Sequence, residues 1–405
     1  MSNLFNRVPK YQKIFQKTFK YICNDCGEFT YNQYEFCEKC GAKNSMRKAM
    51  IEDYTKYYFL KEKEKEKEKS RNERILSDDQ PENLKLLALL FTFFLVFLTF
   101  EIPFLINNLL IQIFPDLNMY APGFNPDEIE FFINGVRPIG YICLIIIVIF
   151  IILGFLIKKE KISVSSSFLL FLPTFGSFAS SMFFLAGIGI LEVVWLPLDT
   201  PYFNFLMLGI IVYPVYLLYF LGPIGYIVIF ILLILPWIFI ILGLYIFTSG
   251  VISWFYGKYQ KRDIIEFSIY KYSRHPQYLG FLIWSYGLFV NYMNSEFLLG
   301  ISGHIGLNAS LPWVIFALII VGIAFLEDIN LSKKYPDKYA EYRKRTPFLI
   351  KLPKTLNLIV SFPLRYILKK SFPETNKDIL KVVILYGMII IILSLLILLP
   401  IFFLF

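Results

Sequence analysis

The chain has 405 residues, of which 57% are hydrophobic, 19% aromatic and 18% charged, with a formal net charge of +9. Soluble domains carry about 25% charged residues, so a soluble globular enzyme is excluded. The excess of lysine and arginine calls for no nucleic acid, because those residues are grouped around apolar runs as the positive-inside rule asks of a membrane protein.

Residues 1–60 read as a small zinc ribbon with basic flanks. Lys10, Lys13, Lys17 and Lys20 precede no short apolar core or small-residue cleavage site, so no secretory signal is expected. Phe5, Val8, Tyr11, Phe15 and Phe19 recur at helical intervals among these lysines, which suits either a membrane surface or packing on the ribbon. The ribbon itself is Cys23-Asn24-Asp25-Cys26 and Cys37-Glu38-Lys39-Cys40, each pair trailed by a glycine, Gly27 and Gly41. Two-residue spacing lets both thiolates of a pair reach one tetrahedral ion, and the glycine relieves a turn that needs positive φ. Cys23, Cys26, Cys37 and Cys40 are therefore the predicted ligands of a structural zinc, whose four protein ligands leave no open position. Spacing leaves three roles open for the ribbon: gripping a protein partner, gripping the chain's own cytosolic face, or neither. Residues 61–83 follow as a solvated linker, where the alternating lysines and glutamates put opposite charges at i,i+3 but like charges at i,i+4.

From residue 84 onward, apolar runs long enough to cross a bilayer predict an all-α polytopic membrane protein of seven or eight transmembrane helices. Spans are expected at about 84–111, 138–157, 164–196, 224–256, 276–293, 311–330 and 379–405. Of the 40 lysines and arginines, 39 lie in residues 1–85, the turn at 158–161, residues 258–274 and residues 333–381. Those segments are predicted to be cytosolic, and only Arg137 is left over. Phe203 to Leu221 is also long and apolar, yet a full span there would carry Lys258 to Arg274 to the outside. That stretch is expected to be re-entrant at Pro214 and Gly222-Pro223, unless the 164–196 run folds back at Pro173 and Gly176. Glu101 and Glu192 are candidate intramembrane polar sites, Cys143 a small apolar filler, and His304 a loop residue without ligand-like neighbours.

The chemistry concentrates at the cytosolic ends of one hairpin, where Tyr270-Lys271-Tyr272-Ser273-Arg274-His275-Pro276-Gln277-Tyr278-Leu279-Gly280 enters one span and Glu327-Asp328 closes another. Pro276 has no amide hydrogen to lose and suits the first helical position, which leaves free N–H groups and the positive dipole end beside Arg274. Both spans run 18 residues, so Arg274, His275 and Glu327 return to the same depth, and a ligand with a carboxylate and an amine meets opposite charges.

This run, with Leu331, Tyr335, Tyr339, Tyr342, Thr346-Pro347 and Pro353, resembles the C-terminal half of the isoprenylcysteine carboxyl methyltransferase and phospholipid methyltransferase family of integral membrane enzymes, over about residues 240–353. The resemblance implies S-adenosylmethionine as methyl donor and a lipid or lipidated acceptor entering from the bilayer. It implies a cofactor site of Tyr270, Arg274, His275, Pro276, Tyr278, Gly280, Glu327 and Asp328, with Arg274, His275 and Glu327 as the catalytic set. Arg274 would pair the methionyl carboxylate, Glu327 the amino group or ribose, His275 would orient the ligand, Tyr278 would face adenine or sulfonium, and Gly280 would admit the cofactor or a neighbouring helix. Three positions depart from the family: Asp328 replaces a second glutamate, Ser268 a glycine, and Tyr335-Pro336 a phenylalanine-glycine pair.

Residues 237–355 are thus the expected methyltransferase-like core, 84–236 a set of transmembrane helices without assigned role, and 356–405 an amphipathic segment with a last span. The protein is expected in the cell membrane or endoplasmic reticulum with N-terminus and cofactor site cytosolic. Two alternatives stand beside methyl transfer. Sterol reductases, which use NADPH, share a related Arg-His-Pro pattern, although Phe325 to Tyr335 lacks their Arg-x-Glu and Cys-rich stretch. A non-catalytic scaffold bearing a ribbon is the other.

Overall fold

The structure, a computed structural model, describes residues 20–25, 27, 29–30, 37, 40, 43, 46–50, 53, 63, 82–113, 126–157, 159–174, 187–200, 203–215, 226–299, 309–370 and 372–404. Cys26, the opening segment through Phe19, the 61–69 run apart from Lys63, His304 and residues 216–221 lie outside the described residues. The chain forms two compact units, Met1–Asp79 and Gln80–Phe405.

In the first unit, β1 (Tyr21–Cys23) lies between β2 (Phe29–Thr30) and β3 (Met46–Lys48), antiparallel to both. The register sets Ile22 opposite Phe29 on one side and Arg47 on the other. Gly27 adopts φ +73° and donates its N–H to the Cys23 carbonyl at 2.9 Å, which is the turn for which a glycine is expected after the first cysteine pair. Arg47 grips both oxygens of Asp53 at 2.6 Å and reaches Asn24 at 2.8 Å, so it ties β3 to that turn.

The second unit is helical: α1 (Glu82–Ile113), α2 (Pro126–Leu156), α3 (Glu160–Phe171), α4 (Tyr226–Tyr259), α5 (Pro276–Leu299), α6 (Ser310–Lys334), α7 (Pro336–Arg345), α8 (Lys354–Phe362) and α9 (Asn376–Leu404). Among the described residues, five segments are long and apolar enough to cross a membrane: Glu82–Ile106, Asn134–Gly154, Ile229–Tyr259, Ser310–Lys334 and Asn376–Leu399. The unit is an all-α integral membrane protein. α5 has spanning length too, but it carries Gln277, Ser285, Asn291 and Asn294 and turns fully buried Leu288 and Phe289 into the core.

α4 and α5 approach closely because glycines line their contact. A Cβ on Gly243 would lie 2.3 Å from the Trp284 nitrogen, and one on Gly280 would lie 2.4 Å from the Phe247 nitrogen. Packing of this closeness is what small residues supply where no hydrophobic effect separates helix from lipid.

Two stretches differ from the expected spans. Residues 164–196 are not one helix: α3 stops at Phe171, and 3₁₀ turns at Gly187–Val194 and Leu196–Leu198 follow. Fully buried Trp195 donates to the Leu170 carbonyl at 2.8 Å. Arg137, the one cation unexplained by topology, donates to the carbonyls of Leu196 at 2.5 Å and Asp199 at 2.6 Å, and so holds the end of the second 3₁₀ turn. Phe205–Val212 is likewise a 3₁₀ helix rather than a span. Non-helical backbone is tolerated at membrane depth only where protein satisfies it. Here Ser310 donates to the Leu206 carbonyl at 2.9 Å, Tyr286 donates to the Val212 carbonyl at 2.9 Å, and Ser394 accepts from the Ile211 N–H at 3.4 Å.

Candidate active site

The site begins with a turn that the sequence strains. Ser268 stands at φ +54°, in the left-handed region that favours glycine, and opens the 3₁₀ turn Ser268–Lys271. Tyr270 is buried within it, and its carbonyl accepts from the Tyr342 hydroxyl at 2.8 Å. Pro276 then starts α5, the position expected of it. The N–H groups just before it are used within the protein, since Arg274 donates to the Pro347 carbonyl at 3.0 Å and His275 to the Ser273 hydroxyl at 3.2 Å.

Asp328 is the hub. Its carboxylate has no exposed side-chain surface and accepts from the Arg274 guanidinium, from the Tyr339 hydroxyl and, at 2.7 Å, from His275 Nε2. The other imidazole nitrogen, Nδ1, lies 3.5 Å from Glu327, whose side chain is 44% exposed. Burial pushes the His275 pKa down, but the hydrogen bonds and charges of Asp328 and Glu327 outweigh it, and the net shift is upward. Burial and the Asp328 charge push the Tyr339 hydroxyl well up, so it stays a phenol and a donor. Aromatic rings enclose the cluster: Phe348 lies edge-on to His275 at 5.1 Å and stacks on Phe325 at 4.3 Å, and the Arg274 guanidinium sits over Phe348 and Phe372 at 5.5 and 6.0 Å.

Next to this cluster is a cavity of about 720 Å³ between α3, α4, α5 and α6. Its body is apolar, with Val164, Phe247, Phe281, Ile320 and Ile323, and Tyr278, Glu327, Gln277, Asn330, Lys161 and Lys334 add polar groups. A volume of that size suits a small organic ligand or the end of a lipid.

The structure therefore brings Arg274, His275, Glu327 and Asp328 together, and sets Tyr278 and Glu327 on the cavity. Gly280 faces the neighbouring helix α4, and Tyr270, whose carbonyl accepts from Tyr342, has its hydroxyl pushed well up by burial and by the nearby Glu327. The Arg274 guanidinium, expected to wait for a ligand carboxylate, is bound to Asp328 through Nη1, and its buried Nε lacks a partner. Reading the sequence missed Asp328 as the centre and Tyr339 as its donor. The spacing of Tyr335, Tyr339 and Tyr342 on one face of a short helix was the available signal. Of the two intramembrane carboxylates singled out, Glu192 is buried and accepts from Tyr292 at 3.1 Å, and Glu101 is half-buried on α1.

In the first unit, the sulfurs of Cys23, Cys37 and Cys40 lie within 4.8 Å of one another, and those of Cys23 and Cys40 are 3.8 Å apart. A disulfide would need about 2.05 Å. Two thiolates at about 2.3 Å from a tetrahedral zinc stand about 3.8 Å apart, so the donor set fits that ion.

A family model described as "Protein of unknown function (DUF1295)" matches residues 203–346, a little over a third of the chain. The matched region holds Arg274, His275, Glu327, Asp328, Tyr339 and Tyr342 and leaves out the first unit, α1 to α3, α8 and α9. No curated protein and no solved structure matches the chain.

Proposed function

We propose that the protein is an integral membrane enzyme that transfers a methyl group from S-adenosylmethionine to a lipophilic acceptor, with the site on the cytosolic side. The observation that supports this reading is the placement of the Glu327 carboxylate and the Tyr278 ring on one largely apolar cavity, with the buried, unpartnered Nε–H of Arg274 in the adjoining cluster. Glu327 would hold the ammonium of the donor, Arg274 Nε–H its carboxylate, and Tyr278 the adenine or the sulfonium. When bound, the donor supplies an activated methyl group. The residues of this chain hold and orient the two partners and keep water out, which suffices for an in-line displacement. A carboxylate acceptor is already ionised at neutral pH; an amine or thiol acceptor would pass a proton to Glu327.

A second reading, hydride transfer from NADPH, has one observation in its favour. His275 lies between Asp328 and Glu327, which favour its protonated form, and a reduction consumes a proton that methylation of a carboxylate does not. Thermal unfolding of the purified protein with each ligand separates the two, because binding to the folded state raises its stability by about 2.7 kcal/mol at a hundred times Kd. Stabilisation by S-adenosylmethionine that drops in Glu327→Gln supports the first reading. Stabilisation by NADPH alone supports the second, and a response to neither leaves a scaffold. For the first unit we propose a structural zinc held by Cys23, Cys26, Cys37 and Cys40, supported by the three described thiols at tetrahedral separations.

A further inference from the structure

We infer that residues 349–370 form a docking surface for an anionic lipid leaflet, lying in its headgroup layer beside the Arg274–His275 cluster. No residue of α8 is buried, and the π-helical turn Pro363–Ile367 carries it on. Ile359 is 68% and Tyr366 62% exposed, and Leu356, Val360, Phe362 and Ile367 are exposed with them. Nine helical residues reach only about 14 Å, half of a hydrocarbon core of about 30 Å, so this apolar surface cannot belong to a span. Helical periodicity puts Lys354, Asn357 and Ser361 along one stripe and Leu356, Ile359 and Val360 on the other side. A short helix of this pattern, placed in the chain between the spanning helices α6 and α9, lies in the plane of the interface with its apolar side in the acyl boundary.

Charge selects the lipid. From Thr346 to Pro373 the chain carries Lys351, Lys354, Arg365, Lys369 and Lys370 and no aspartate or glutamate. Lys370 is held by Asp378 at 2.7 Å, and the other four cations make no ion pair among the described residues. A neutral interface would take the apolar side and leave those cations uncompensated, whereas a phosphatidylserine-rich leaflet meets them. The segment is fastened to the rest of the unit at three points. Tyr386 of α9 donates to the Val360 carbonyl, and Phe348 before it and Phe372 after it both stack on Arg274. The lipid surface is thereby connected at both ends to the aromatic enclosure of the candidate site. The inference goes beyond the proposed reaction and does not depend on which donor is used.

Hydrogen exchange read by mass spectrometry tests it on the full chain in nanodiscs of phosphatidylcholine alone and of phosphatidylcholine with phosphatidylserine. Each basic residue near an anionic surface contributes about fivefold to partitioning. Amides of 354–367 should therefore exchange about tenfold or more slowly with phosphatidylserine present. The difference should disappear in about 1 M salt, where the screening length is about 3 Å, and in the triple variant Lys354→Gln, Arg365→Gln, Lys369→Gln. Unchanged exchange within α4 reports that the variant is folded. Equal exchange in the two lipids overturns the inference, as does a triple variant with protection identical to wild type.

Discussion

His275 joins Asp328 to the cavity: Nε2 lies 2.7 Å from a carboxylate with no exposed side-chain surface, and Nδ1 faces the half-open Glu327 at 3.5 Å. Adjacent residues on a helix diverge by about 100°, so the consecutive acids of α6 fall on different sides. Asp328 turns into the protein and Glu327 lines the cavity. One imidazole therefore couples an invariable structural charge to a charge that a ligand can meet.

The two acids should accordingly differ in what their loss does. Asp328→Ala strands a buried guanidinium and imidazole and should cost about 3–5 kcal/mol of stability. Glu327→Gln, at a site 44% exposed, should cost no more than about 1 kcal/mol. Denaturant titration in detergent measures both; similar losses for the two variants would contradict the division of roles.

Stability should fall as pH rises through the His275 titration. Burial lowers the native pKa, but the hydrogen bonds and charges of Asp328 and Glu327 outweigh it and raise it above the unfolded value of about 6.5. A raised native pKa means that the protonated ring stabilises the fold fully below about 6.5, and that this contribution is lost as pH climbs through the native value. Melting temperatures of wild type and His275→Gln should converge as pH rises across that window. A gap that widens instead would show that the imidazole is neutral in the fold.

Ser268 offers a test of backbone strain. Glycine there removes a left-handed penalty of about 1–2 kcal/mol and returns about 0.4–1 kcal/mol to the unfolded chain as entropy, so Ser268→Gly should be neutral or stabilising by up to about 1 kcal/mol, whereas the β-branched side chain of Ser268→Val should destabilise. Thermal unfolding of the two variants gives the comparison, and a destabilising glycine would argue that the serine hydroxyl matters more than its φ of +54°.

Metal analysis of the purified chain should return about one zinc, since four thiolates fill one tetrahedral shell. Cys23→Ser should lose most of it and loosen β1 to proteolysis. A wild-type protein with no zinc whose first unit nonetheless resists protease would count against the ribbon.

Much of this was legible in the sequence because the bilayer leaves few options. Long apolar runs between basic turns foretold α1, α2, α4, α6 and α9, and Pro276 marked the start of α5. What was not legible depends on side chains meeting across distance. Residues 164–196 and 203–221 are apolar enough to be helices, but among the described residues of these stretches 3₁₀ turns occur whose backbone groups are met by serines, Tyr286 and Arg137 from other elements. The charges around Arg274 were readable as a cluster, but their pairing was not. A sequence places Glu327 and Asp328 at one depth without saying which of them faces inward.

The 3₁₀ segment Phe205–Val212 also bears on how the chain is made. Its glycine at 209 packs against the Ser310 carbonyl, and the Ile211 amide finds its acceptor in Ser394, 183 positions later. An ordinary span carries its backbone hydrogen bonds with it and is finished once it enters the bilayer. This stretch has its internal 3₁₀ bonds early, but nearly half of the chain has still to be made before its contact with Ser394 can form. A chain cut short before α9 would lack the Ser394 hydroxyl at the Ile211 amide, so a truncation at the far end should loosen a segment laid down near the middle.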